Sequence, residues 1–186
     1  MGNGVTGQRV GDTMRIVGVM GSGQDPHADR SVPLGRWVAE SGAHLLTGGG
    51  GGVMASASRA FYEVSPRRGS VIGILPRGEV GSPPKPGYPN AWVEIAIRTH
   101  LPLSGAHGSD PMSRNHINVL SSDVIIALPG RHGTASEVEL ALHYGVPIVA
   151  FIGERNEIRG LPSQVAVETH LHGVATFVSH VLGSGA

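Results

Sequence analysis

The 186-residue chain contains no cysteine. Disulfides, thiolate nucleophiles, cysteine zinc sites and iron–sulfur clusters are therefore excluded. Lysine is almost as scarce: thirteen of the 14 basic residues are arginine, and Lys85 is the only lysine. A Walker-type phosphate loop needs Gly-Lys-Ser/Thr, which is absent. A pyridoxal-phosphate enzyme needs a pre-organised lysine for its Schiff base. Lys85 sits in the proline-rich stretch SPPKPGYP, so a decarboxylase of that kind is set aside. Charge is sparse and balanced, 15% of residues with 14 basic against 14 acidic. Non-specific nucleic-acid binding needs a basic excess, so no nucleic-acid partner is expected. No apolar run reaches the ~18 residues of a membrane span, and the N-terminus lacks the build of a secretory signal. Met1-Gly2-Asn3-Gly4-Val5-Thr6 fits the loose myristoylation pattern. The plainer expectation is a flexible glycine-rich leader over residues 1–14, on a soluble, cytoplasmic protein with no membrane partner.

What the chain has in excess is glycine, 29 of 186 residues, about 16% where ~7% is usual. A hydrophobic content of 40% and the lack of a collagen period exclude a fibrous or disordered chain. The length suits one domain with a proper core, placed at residues 15–184.

Residues 15–20 (RIVGVM) form a short apolar run closed by Gly21-Ser22-Gly23, which reads as a buried strand. Val32, Leu34, Trp37 and Val38 recur at helical spacing within 29–41. A second run at 44–47 ends in five consecutive glycines, 48–52, and a helix follows from Val53 to about Val64. Residues 70–75 (SVIGIL) form a third strand. Residues 76–91 hold five prolines and three glycines and cannot be helix or central strand. They open a long excursion over about 76–110, interrupted by a strand-like run at 93–97. Further on come a helix at 112–121, a strand at 124–128 (VIIAL), a helix at 134–144, a strand at 148–152, a weak strand at 163–168 and a closing helix at 171–182. Strands alternating with helices predict an α/β, Rossmann-like three-layer sandwich with a mostly parallel sheet. Continuous rather than alternating apolar strands fit helices on both faces.

Ligands of such sheets bind beyond the carboxyl ends of the strands. Three glycine-rich loops fall there: Gly21-Ser22-Gly23, the run beginning Gly48-Gly49-Gly50, and Pro129-Gly130-Arg131-His132-Gly133-Thr134. Exposed N–H groups and a helix dipole favour an anion at such turns, and glycine lets the backbone approach a phosphate. Tight βα turns use glycine for purely structural reasons too. Three loops on one edge favour the ligand. The first loop, GSGQDP, is not the dinucleotide fingerprint, and no ribose-binding acid ends the second strand. A mononucleotide-sized phosphorylated ligand fits better than NAD.

Residues 128–137, LPGRHGTASE, resemble the P-G-G-x-G-T-x-x-E signature of the LONELY GUY family of phosphoribohydrolases, relatives of which are often labelled lysine decarboxylases. TGGGGGVM at 47–54 and Pro111-Met112-Ser113-Arg114 resemble further segments of that family. Within this superfamily the chain looks most similar to the molybdenum cofactor carrier proteins. They share the VGVMG start, the LLTGG…GVM turn, the VIGILP strand, the Arg-Asn…LSSD run at 114–123 and the GTA-x-EV-x-LAL helix at 133–142. The resemblance covers about residues 15–182, with the excursion poorly matched. It implies binding of a phosphorylated heterocycle, the molybdenum cofactor being the candidate ligand. The alternative it implies is a phosphoribohydrolase that cleaves the N-glycosidic bond of a nucleoside 5′-monophosphate. It also implies a homodimer or homotetramer. Arg131 and His132 depart from the signature, and Asn115 replaces the hydrolases' lysine.

In the hydrolases the glutamate matching Glu137 assists glycosidic cleavage, where a carboxylate stabilises developing positive charge. Thr134-x-x-Glu137 is equally a capping box, worth only about 1 kcal/mol. Arg114 would position phosphate or ribose, or else stand at the first turn of a helix on the surface. Cofactor binding is assigned to Gly21, Ser22, Gly48, Gly49, Gly50, Gly130, Arg131, His132, Gly133 and Thr134. Arg98 is a weaker candidate for the same edge. Trp92 could stack a heterocycle, although packing of the excursion is the plainer role. The ten histidines show no metal-binding spacing, so no metal site is expected.

Overall fold

The computed structural model describes residues 14–78 and 86–183. Lys85 and residues 1–13 of the expected leader lie outside the described residues. Seven strands are present there: β1 (Ile16–Met20), β2 (His44–Thr47), β3 (Val71–Leu75), β4 (Ile95–Arg98), β5 (Val124–Ala127), β6 (Ile148–Phe151) and β7 (Ala166–Glu168). The helices are α1 (Ala28–Glu40), α2 (Val53–Tyr62), α3 (Asn115–Leu120), α4 (His132–Tyr144) and α5 (Leu171–Gly183).

The strands join one sheet in the order β4-β3-β2-β1-β5-β6-β7. Every pairing is parallel, for example Val17 with Val124 and Leu45 with Val71. Alternate residues of β1, β2, β3, β5 and β6 enter two separate cores. Val17, Val19, Leu45, Val124 and Ile126 pack with Leu34, Phe61 and Val178 of α1, α2 and α5. Met20, Leu46, Ile125 and Ile148 pack with Val119, Val138 and Ala141 of α3 and α4. This is the expected three-layer α/β sandwich. It explains why the strands lack polar alternation: VIGIL of β3 and VIIA of β5 are buried at every position. A fully buried side chain such as Phe61 contributes ~1.5–3 kcal/mol.

Three elements differ from the sequence expectation. Helix α3 starts at Asn115 rather than 112, because Ser113 bridges Leu103 and Met112 donates its N–H to the Asp110 carboxylate. Strand β4 is shifted to Ile95–Arg98 and forms a sheet edge, with Ile95 and Ile97 exposed. Helix α4 starts at His132 rather than 134 and ends at Gly145, whose φ of 68° supplies the left-handed cap that closes helices.

Strand β1 lies between β2 and β5, so the chain leaves it in opposite directions on its two sides. The crevice opened by this reversal lies beyond Met20 and Ala127, at the carboxyl ends of the strands.

Candidate functional site

A cleft of about 280 Å³ occupies that crevice. Met20, Gly21 and Gly48 line it from the strand ends, Arg114 and Asn115 from α3, and Gly133 and Glu137 from α4. Tyr88, Ser104 and Gly105 line it from the long excursion.

Arg114 is only 4% exposed. Its Nη1 donates to the carbonyl of Gly48 at 2.8 Å and to that of Ile74 at 2.5 Å. The guanidinium thus ties the start of α3 to the ends of β2 and β3. Its Nε is buried and has no hydrogen-bond partner. Burial pulls the Arg114 pKa down, and the nearby Glu137 charge opposes that pull. Arginine starts so high that it stays charged.

Glu137 is 8% exposed. Asn118 Nδ2 donates to its Oε1 at 3.1 Å, and the Asn118 Oδ1 is buried without a partner. Burial pushes the Glu137 carboxyl above the usual range, more than Arg114 and Asn118 can offset. Beside it, Asn115 Nδ2 donates to Ser136 Oγ at 3.1 Å, and Ser136 donates to the Gly133 carbonyl at 2.8 Å. A buried polar layer therefore joins α3 to α4 under the cleft.

The earlier start of α4 removes the capping box. Arg131, not Thr134, is the N-cap, and no side chain caps the helix. Thr134 is buried inside the first turn, its hydroxyl against the Gly130 backbone. The first N–H groups of a helix have no partner within it, so this uncapped end has donors to offer. Gly133, within that first turn, lines the cleft.

The other two loops are less open than their sequence suggests. Ser22 donates its N–H to the Pro129 carbonyl at 3.0 Å, and its hydroxyl accepts from Gln24 and Asp25. Val53, the first residue of α2, donates to the Ser22 carbonyl at 2.9 Å. In the loop before α4, Gly130 likewise donates its N–H within the protein, to the Glu157 carbonyl at 3.0 Å. Within the five-glycine run the missing side chains make room for protein groups: a Cβ on Gly48 would collide with the Arg114 guanidinium. A Cβ on Gly50 would stand 2.7 Å from Tyr88 Oη. Gly49 packs against Leu75.

The expected site residues divide accordingly. Gly21, Gly48, Gly133, Arg114 and Glu137 share the cleft. Ser22, Gly130 and Arg131 line a neighbouring, more open cleft with Asp25, His27 and Glu157. Exposed His132 meets Arg159, its Nε2 3.3 Å from Nη1 of that arginine. Arg98 ends the exposed edge strand and lines neither cleft. Trp92 packs its ring 5.7 Å from Tyr62 and lies beneath Arg59, away from the Arg114 cleft. Among the described residues no group of three or more histidines or acids could hold a metal ion. No helix described is long and apolar enough to cross a membrane. Sequence reasoning missed Tyr88 and Asn118 and took Asn115 only as a departure from the hydrolase pattern; Asn115 and Asn118 bond across 21 and 19 positions, and Tyr88 reaches over Gly50.

A parallel α/β sandwich with glycine-rich strand ends and a buried arginine and glutamate at its switch point defines a Rossmann-like protein. More narrowly, it belongs to the SLOG cluster4 family, whose model matches residues 14–176. An uncharacterized protein of Archaeoglobus fulgidus is 34% identical over 131 residues, 69% of this chain and 74% of that protein. The molybdenum cofactor binding protein of Rippkaea orientalis superposes with a TM-score of 0.72 at 32% identity, covering 91% of this chain and 98% of that one. The Moco carrier protein of Chlamydomonas reinhardtii gives 0.70 at 30% identity, covering 92% and 99%.

Proposed function

We propose that this chain binds a phosphorylated heterocycle as a carrier, with the molybdenum cofactor as the leading candidate. The observation that carries this reading is the unpartnered Nε of buried Arg114 in a cleft that also takes in the uncapped start of α4. A buried charged donor without a partner is costly, and an anion relieves that cost. The phosphate of the ligand would sit between Arg114 and the first turn of α4, near Gly133. The five-glycine run shapes the cleft by admitting Arg114 and Tyr88.

The carrier reading is preferred to glycosidic cleavage because the chain resembles a molybdenum cofactor binding protein and a Moco carrier protein at 32% and 30% identity, and because Asn115 stands where the hydrolases' pattern has lysine. Self-association, implied by the family resemblance, has support in the exposed Ile95 and Ile97.

The test is to incubate the full chain with the molybdenum cofactor and, separately, with nucleoside 5′-monophosphates. The cofactor should co-elute on gel filtration and no free base should appear. Base release that vanishes in Glu137→Ala would establish the hydrolase instead.

A further inference from the structure

Phosphate contacts near Arg114 and α4 engage only one end of the proposed ligand, so its heterocycle needs a wall of its own. Among the described residues the aromatic side chain lining the cleft is Tyr88, from the excursion.

Asn90 clamps the excursion onto the five-glycine run. Its N–H donates to the Gly49 carbonyl at 2.8 Å, and its Nδ2 to the Gly50 carbonyl at 2.9 Å. Asn90 Oδ1 accepts from the Trp92 N–H at 3.1 Å, which fixes the turn. Two residues earlier, Tyr88 lies with the hydroxyl end of its ring over Gly50 and lines the cleft. Its phenol is close enough to Arg114 to act on it electrostatically. Glycine at 50 leaves room for this approach: a Cβ there would push on the Tyr88 hydroxyl and come within 2.9 Å of the Met54 methyl.

We infer that Tyr88, held by Asn90 against Gly50, is the residue that selects the heterocycle of the ligand, as distinct from its phosphate. The inference rests on the proposed ligand site. The aromatic ring offers a stacking or edge surface to a flat heterocycle, a surface that a bare phosphate cannot use. The clamp keeps that surface in place without needing the ligand to order it.

The experiment compares the full-length wild type with Tyr88→Ala, Tyr88→Phe, Gly50→Ala and Asn90→Ala. Two probes are used, the molybdenum cofactor for retention and inorganic phosphate as its competitor. Tyr88→Ala should weaken cofactor retention at least tenfold and leave the phosphate inhibition constant within twofold. Gly50→Ala, which displaces the ring without removing it, and Asn90→Ala, which frees the turn, should move the same way. Tyr88→Phe separates the ring from its hydroxyl: retention kept assigns the role to the ring, retention lost assigns it to the hydroxyl. Unchanged cofactor retention in Tyr88→Ala, or an equal loss for cofactor and phosphate, would overturn the selection role while leaving the proposed site standing. Failure of the wild type to retain the cofactor at all would overturn both. Unfolding traces of each variant separate a lost wall from a lost fold.

Discussion

Arg114 and Gly48 share one small space: the guanidinium donates to the Gly48 carbonyl at 2.8 Å and fills the volume where a Gly48 side chain would be. The glycine is therefore a requirement of the arginine. Gly48→Ala should expel Arg114 from its two carbonyls, because the new methyl would stand within 2.5 Å of both terminal guanidinium nitrogens of a side chain that is itself buried. Losing a hydrogen bond from a charged group costs ~1.5–3 kcal/mol. Chemical denaturation should show a loss of that order, with ligand retention falling at least tenfold. A variant that matches the wild type in both measurements would show that Arg114 does not depend on this glycine.

Glu137 makes stability depend on pH. Its carboxyl is raised in the folded state above its ordinary value, with burial as the main cause. The folded chain therefore holds this proton more tightly than the unfolded chain does. The contribution is fully present below the unfolded pKa and is lost as pH rises through the folded one. Glu137→Gln keeps the shape and an acceptor for Asn118 but cannot ionise. It should flatten this fall, so that the variant exceeds the wild type in melting temperature above the folded pKa. A parallel pair of melting-temperature curves across pH 4–9 would remove Glu137 as the cause.

The start of α4 can be probed through a single N–H. His132 is the first residue of that helix, the position where proline is best tolerated because its missing N–H has no intrahelical partner. His132→Pro should leave α4 folded and delete one donor. Loss of one charge-assisted bond, ~1.5–3 kcal/mol, is roughly a tenfold to hundredfold loss of affinity for inorganic phosphate. His132→Ala removes the imidazole alone and should change phosphate affinity less than threefold. Titration by calorimetry distinguishes the two; equal losses would give the role to the side chain.

The parts of the fold legible in sequence were those set by local pattern. Runs such as VIIAL announce a strand covered on both faces, and the glycines after them mark its carboxyl end. Arg114 and Glu137 were visible through a family motif, and both line the cleft. The start of α4 was not legible, since Thr134-x-x-Glu137 spells a capping box that the chain does not use. There the Gly130 N–H bond to the Glu157 carbonyl and the packing of Thr134 against Gly130 start the helix earlier. Tyr88 was invisible for a different reason. Its position depends on Asn90 reaching Gly50 across 40 positions, and nothing local in a proline-rich stretch signals such a contact.

The exposed side of β4 yields the last prediction. Ile95 and Ile97 pair with Ile72 and Ile74, so they face the same side of the sheet as α3 and α4. They are 45% and 43% exposed, and Leu120 on that side of the sheet is 59% exposed. An edge strand with bare isoleucines invites pairing, and natural edges are commonly blunted with lysine. The described part of β4 has no such charge before Arg98. If a second copy covers this edge, Ile95→Lys together with Ile97→Lys should shift light scattering from a dimer or larger assembly to monomer. Circular dichroism should stay unchanged, because neither side chain belongs to either core. A double variant that keeps the wild-type mass would place the contact between copies elsewhere on the molecule.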